Sequence, residues 1–108
     1  MPVRFEQPAE HPGVALVTLD RPSRGNALDP AMLRDLAATW RQIAADDAIR
    51  CALLTGAGER TFCSGMDVRE TLPAAQRLAR GERVSEEAFE GLRAVGDATL
   101  ASLDLGKP

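Results

Sequence analysis

The residues from Asp29 to Ala44 restrict the fold more than any other stretch. Asp29 has a short carboxylate that can accept from the unpaired amides of a helix start. Pro30 suits the first helical position, where a missing N–H costs nothing. Met32, Leu33, Leu36, Ala37, Trp40, Ile43 and Ala44 then recur at three- and four-residue spacing, which predicts an amphipathic helix from about 30 to 45. One apolar stripe has to be covered by another layer. Two short apolar runs flank the helix, residues 14–19 (VALVTL) and 51–55 (CALLT), and both read as strands. The second is apolar enough to be buried on both faces and reads as a central strand.

The remaining chain extends this α/β pattern. Val3-Arg4-Phe5-Glu6 alternates apolar and polar, and the turn EHPG separates it from the run at 14–19, so the two are expected to form an antiparallel pair. DRPSRGNALDP is a loop. After the strand at 51–55 come a glycine-broken turn and the sequence TFCSGMDV. Residues 67–85, interrupted by Pro73 and Gly81, read as a short helical piece and a mobile loop. Ser85 caps a second helix with Glu86 and Glu87 in its first turn, where the helix dipole favours them. Its apolar stripe is expected to be Phe89, Leu92, Val95, Thr99, Leu100 and Leu103. The order is strand, strand, helix, strand, glycine turn, helix, and Lys107-Pro108 stands where another strand would begin. Residues 1–108 are therefore expected to be the front part of a larger domain.

Composition excludes several functions. With 108 residues, 44% hydrophobic and 27% charged, the chain has the balance of a single globular domain. A net charge of −3 is small and of the wrong sign for a protein that binds nucleic acid by neutralising phosphates. No apolar run approaches the roughly 20 residues that span a bilayer, and the N-terminus has no apolar signal core. Cys51 and Cys63 form neither a disulfide framework nor a metal-ligand pattern. They read as reduced thiols of a cytoplasmic protein. His11 is the only histidine, so neither a histidine-based triad nor a histidine-rich metal site is expected.

Most candidate chemistry reduces to plain structure. Gly56-Ala57-Gly58 lacks the third glycine of a dinucleotide loop, and LGKP lacks the first glycine and the final hydroxyl of a phosphate loop. Glu82, Glu86, Glu87, Glu90 and Asp97 read as a solvated face, and Arg77, Arg80 and Arg83 as a solvated loop. CSGMDV is different. Small residues let a backbone approach a ligand closely. If the turn opens a short helix, the N–H groups after Gly65 are free to hold an anion or an oxygen that becomes one. The alternative is a helix start capped by Asp67 or Ser64, with no ligand.

Three segments, VALVTLDRPSRGNALDPAML, IRCALLTGAGERTFCSGMDVRE and LGKP, together resemble the N-terminal part of the crotonase superfamily, the enoyl-CoA hydratase/isomerase family. Arg21, Pro22, Asn26, Ala27 and Leu28 match its R-P-x-x-x-N-A-L. Thr55, Gly56, Gly58, Phe62, Gly65 and Asp67 match its T-G-x-G…F-x-x-G-x-D. The resemblance implies an incomplete N-terminal part of a crotonase-like spiral of ββα repeats. It implies an enzyme that stabilises the enolate of an acyl-CoA thioester, with the CoA thioester as substrate and no separate cofactor or metal. The backbone N–H of Met66 would be one of two oxyanion donors, and losing one such donor typically costs about 10²–10³ in rate. Arg24, Ala27, Cys63, Gly65, Met66, Asp67 and Val68 would line the CoA groove, with Arg24 directed to a CoA phosphate and Asp67 bracing the turn.

The resemblance also implies that the second donor and the catalytic carboxylates come later in a chain of about twice this length or more. These 108 residues alone are therefore expected to be inactive. A complete protein would form a homo-oligomer, a trimer or hexamer. Two other functions stay open. One is a dehydratase of polyketide β-branching acting on an acyl-carrier-protein thioester, with the arginine loop at 77–83 facing the acidic carrier. The other is a non-catalytic truncated remnant.

Overall fold

The structure is a computed structural model that describes residues 2–108. Strands β1 (Val3–Glu6) and β2 (Val14–Leu19) are followed by helix α1 (Pro30–Ala45) and strand β3 (Cys51–Gly56). Helices α2 (Thr71–Ala79), α3 (Glu86–Arg93) and α4 (Val95–Ala98) follow, and a 3-10 turn spans Pro22–Arg24. β1 pairs antiparallel with β2, Val3 opposite Leu19, as the alternation predicts. β2 pairs parallel with β3, Val14 opposite Cys51. A parallel pair needs a long crossover, and α1 supplies it.

α1 forms where the sequence places it. Asp29 is extended and its carboxylate accepts from the Met32 N–H at 2.8 Å, with Pro30 opening the helix. Met32, Leu33, Leu36, Ala37, Trp40 and Ile43 are buried against Val3, Ala15, Val17 and Leu19 of the sheet. Each leucine, isoleucine, valine or methionine withdrawn from water contributes roughly 1.5–3 kcal/mol, so this layer dominates the stability. At the far end the Lys107 ammonium donates to the carbonyls of Ile43 and Asp46 at 2.6 and 2.7 Å, which satisfies open carbonyls at the C-terminus of α1.

Two expectations about the fold fail. β3 is not central or buried on both faces. It is the edge of the sheet order β1-β2-β3, with Leu53 58% and Leu54 39% exposed. Leu53 and Leu54 are consecutive and point to opposite faces, so neither face of the strand is fully covered by the described residues. Among the described residues its outer edge is met only at Ala52, whose N–H donates to the Pro108 carbonyl at 2.9 Å.

The second helix is also not one amphipathic rod with Phe89 and Leu100 inside. It is interrupted at Ala94, and Leu100 has φ 61°. The buried residues are Gly91, Ala94 and Ala98, while Phe89 is 43% exposed. Packing distance decides the face. A Cβ on Gly91 would lie 2.5 Å from the Pro30 Cα, so the helix backbone touches the start of α1 where no large side chain has room. Val95 and Leu103 of the expected stripe do pack at the margin of the core. The indole N–H of Trp40 donates to the Ala98 carbonyl at 2.9 Å and fixes the register. No helix among the described residues is long and apolar enough to cross a membrane.

Candidate functional site: a cleft between two loops

Two loops leave the same end of the parallel pair. Residues 20–29 follow β2 and residues 57–70 follow β3. They run alongside each other and bond as a short parallel bridge between Leu28 and Met66. The Ser64 N–H donates to the Gly25 carbonyl at 3.0 Å, Leu28 N–H to Gly65 at 2.8 Å, and Asp67 N–H to Leu28 at 3.0 Å. An open cleft of about 430 Å³ lies along this seam, lined by Ser23, Arg24, Ala27, Ser64, Met66, Asp67, Val68 and Arg69.

The bridge dictates where Met66 points its amide. The C=O of Gly65 and the N–H of Met66 belong to one planar trans peptide and face opposite ways. The Gly65 carbonyl is turned toward Leu28 and bonded there, so the Met66 N–H is turned away from that loop. Among the described residues it has no acceptor. Gly65 makes the turn possible through its φ of 102°, a backbone conformation that a side chain disfavours, and not through lack of space, since an added Cβ would meet nothing within 4 Å.

A buried polar cluster locks the two loops. Asn26 is fully buried at φ 54°, and short polar residues tolerate that left-handed backbone. Its Oδ1 accepts from the Arg21 N–H at 2.8 Å, and its Nδ2 donates to the carbonyls of Ala57 and Thr61 at 3.0 and 2.8 Å. Gly56 leaves room for this arrangement, because a Cβ there would lie 2.2 Å from the Phe62 carbonyl and 2.7 Å from Asn26 Nδ2.

The Arg21 guanidinium lies 2.9 Å from Asp67 and 3.6 Å from Asp29, and the same nitrogen donates to the Ala27 carbonyl at 2.9 Å. The other Asp67 oxygen accepts from the N–H groups of Arg69 and Glu70 at 2.7 and 3.0 Å. The buried Thr71 hydroxyl donates to the Leu28 carbonyl at 2.8 Å.

Several site expectations are changed by this geometry. The turn does not open a helix at Gly65. α2 begins at Thr71, because Asp67 caps an intervening turn at 68–70, and the Met66 N–H is presented by the β-bridge. Arg24, Ala27, Met66, Asp67 and Val68 come together along the cleft, with Arg24 exposed and Val68 71% exposed. Cys63 and Gly65 are not among its lining residues. Cys63 packs half-buried against the core, and Gly65 shapes the turn. The Asp67 carboxylate is 5% exposed and held on both oxygens inside the chain. Of the three arginines expected on a loop, Arg77 stands in the last turn of α2 and reaches the Arg83 carbonyl, while Arg80, just after the helix, pairs with Glu82 at 2.6 Å.

Asn26 and Arg21 entered the sequence reading only as motif matches, and Arg69 and Thr71 did not enter it. Gly25-Asn26, a pair suited to left-handed backbone, was the one signal that could have marked the lock.

A family model described as Enoyl-CoA hydratase/isomerase matches residues 14–95. A 1,2-epoxyphenylacetyl-CoA isomerase of Escherichia coli is 48% identical, over 82% of this chain and 41% of its own length. An (E)-benzylidenesuccinyl-CoA hydratase of Thauera aromatica is 44% identical, over 73% of this chain and 30% of its own. The crystal structure of an enoyl-CoA hydratase from Bacillus anthracis superposes with a TM-score of 0.73 at 25% identity, covering 100% of this chain and 38% of that one. The chain belongs to the enoyl-CoA hydratase/isomerase family of the crotonase superfamily, and its α/β fold is that family's N-terminal region. It spans well under half the length of these relatives.

Proposed function

We infer that this chain provides the N-terminal part of the active site of an acyl-CoA hydratase or isomerase. The Met66 N–H donates to the thioester oxygen and the adjoining cleft holds the CoA moiety. The observation that carries the reading is the Met66 amide, turned by the Leu28–Gly65 bond away from residues 20–29 and left without an acceptor among the described residues, on a residue that lines the cleft with exposed Arg24. An enolate forming next to a thioester places negative charge on the carbonyl oxygen, where a preorganised donor stabilises it. Arg24 meets a phosphate by charge-assisted hydrogen bonds. Ala27 and Val68 flank the pantetheine, and Cys63, Gly65 and Asp67 act through the backbone they shape. In this reading residues 1–108 are part of a longer domain. The second donor and the acid–base carboxylates come from outside them, and the 108-residue chain binds thioesters without turning them over.

The test is a titration of the ¹⁵N-labelled chain with butyryl-CoA and, separately, with CoA. The Met66 amide should respond to the thioester and not to the free thiol, while Ala27 responds to both. A Met66 amide indifferent to butyryl-CoA at saturation would sink the reading.

A further inference from the structure

The hydrogen bonds that aim Met66 form a directed chain with a charge at its head. Arg21 Nη1 donates to the Ala27 carbonyl at 2.9 Å. That carbonyl and the Leu28 N–H are two ends of one peptide group. The Leu28 N–H donates to the Gly65 carbonyl at 2.8 Å, which is the far end of the peptide that carries the Met66 N–H. Every donor points the same way, from the guanidinium through two peptides to the Met66 N–H. We propose that Arg21 is a positioning residue that strengthens the Met66 donor electrostatically through this relay, in addition to bracing the loops. The proposal rests on the reading of Met66 as a donor to a thioester oxygen.

The physical basis is mutual polarisation. A cation at a carbonyl oxygen draws electron density from the attached N–H and makes it a better donor. The effect passes to the next peptide, strengthening each bond by about 10–30%. Loss of a whole oxyanion donor costs about 10²–10³ in rate, so removing the polarisation of one should cost roughly two- to eightfold.

Arg21 suits this role. Its side chain is 19% exposed, so water does not screen it fully, and the Asp67 carboxylate at 2.9 Å holds it in place. Leu28 in the middle of the relay cannot swing away, because its carbonyl takes both the Asp67 N–H at 3.0 Å and the Thr71 hydroxyl at 2.8 Å. No helix start lies at Met66 to supply the positive field instead.

A relay and a plain brace respond oppositely to loss of Asp67's charge. The ¹⁵N-labelled full chain is compared with Arg21→Met, Arg21→Lys and Asp67→Asn, reading the amide proton shifts of Leu28 and Met66. The relay predicts that both move upfield in Arg21→Met and by less in Arg21→Lys. In Asp67→Asn, where the guanidinium keeps its bond to Ala27 and loses a counter-charge, Leu28 moves downfield. If Arg21→Met does not fold, Arg21→Lys against Asp67→Asn carries the same contrast. Upfield movement of Leu28 in both the arginine and the aspartate variants, or no movement in either, overturns the relay and leaves a brace.

Adding [1-¹³C]butyryl-CoA separates the two readings. A thioester C=O stretch lowered in the wild type, and lowered less in Arg21→Lys, supports both. An unaltered stretch alongside the opposed amide shifts removes the donor reading and keeps the relay.

Discussion

Replacing Asn26 should loosen the cleft more than any other single change, because three hydrogen bonds converge on one fully buried side chain. Asn26→Ala breaks all three, and at about 0.5–1.5 kcal/mol net apiece this dominates the loss. An alanine held at φ 54° adds about 1–2 kcal/mol of backbone strain. The expected total is about 3–6 kcal/mol, a large share of the 5–15 kcal/mol typical of whole domains.

Two companions dissect the loss. Asn26→Gly forfeits the same bonds without the strain and should be gentler than alanine by about 1 kcal/mol. Asn26→Asp keeps the acceptor for Arg21 but puts an oxygen where Nδ2 stood, 3.0 and 2.8 Å from two carbonyl oxygens, and should be at least as damaging as alanine at neutral pH. Urea unfolding can be followed by the fluorescence of Trp40, which is 3% exposed in the native chain. An alanine variant losing less than about 1 kcal/mol, or glycine faring worse than alanine, would refute this account of the lock.

Gly65→Ala meets no clash, so its effect should come from the φ of 102° alone. About 1–3 kcal/mol of strain is expected to turn the Met66 amide, read as loss of its response to butyryl-CoA with the core resonances unmoved. Gly91→Ala drives a Cβ into the backbone of Pro30 and should cost about 1–3 kcal/mol in urea unfolding, with shift changes at the α1–α3 contact. Lys107→Met keeps the stem but removes the charge bonded to Ile43 and Asp46. A loss of about 1–2 kcal/mol is expected, with faster hydrogen exchange at Ala52, whose partner carbonyl belongs to the neighbouring Pro108.

What was legible in the sequence was what short-range physics decides. Asp29-Pro30 and the stripe from Met32 to Ile43 act within one helix, and α1 lies where they put it. The β1–β2 pairing followed from alternation and a turn between adjacent segments. What was not legible depends on partners far along the chain. Nothing near Gly91 says that Pro30 will lie against it. Nothing near Asn26 says that its amide will meet carbonyls at 57 and 61. β3 misled for the opposite reason: an apolar run reads as buried, yet Leu53 and Leu54, on opposite faces of the strand, are both exposed.

In the cleft, the motif glycine and aspartate looked like a helix start, because a small residue followed by a capping side chain is how helix starts look. Asp67 does cap backbone amides, but those of Arg69 and Glu70, and the helix begins only at Thr71. This matters for the chemistry. A donor at a helix N-terminus is supported by the macrodipole, which fades within the first turn. Met66 lies five residues before α2 and has little of that support. If Met66 is the donor proposed above, side chains are the remaining source of a positive field, and three arginines lie nearby. Arg21 reaches the donor through two peptides, while Arg24 and Arg69 line the cleft itself. Neutralising Arg21 should therefore act on the donor's strength, while neutralising Arg24 should act on affinity for the phosphates of a bound CoA. In an enzyme built as proposed, the first would lower kcat more than it raises KM, and the second the reverse.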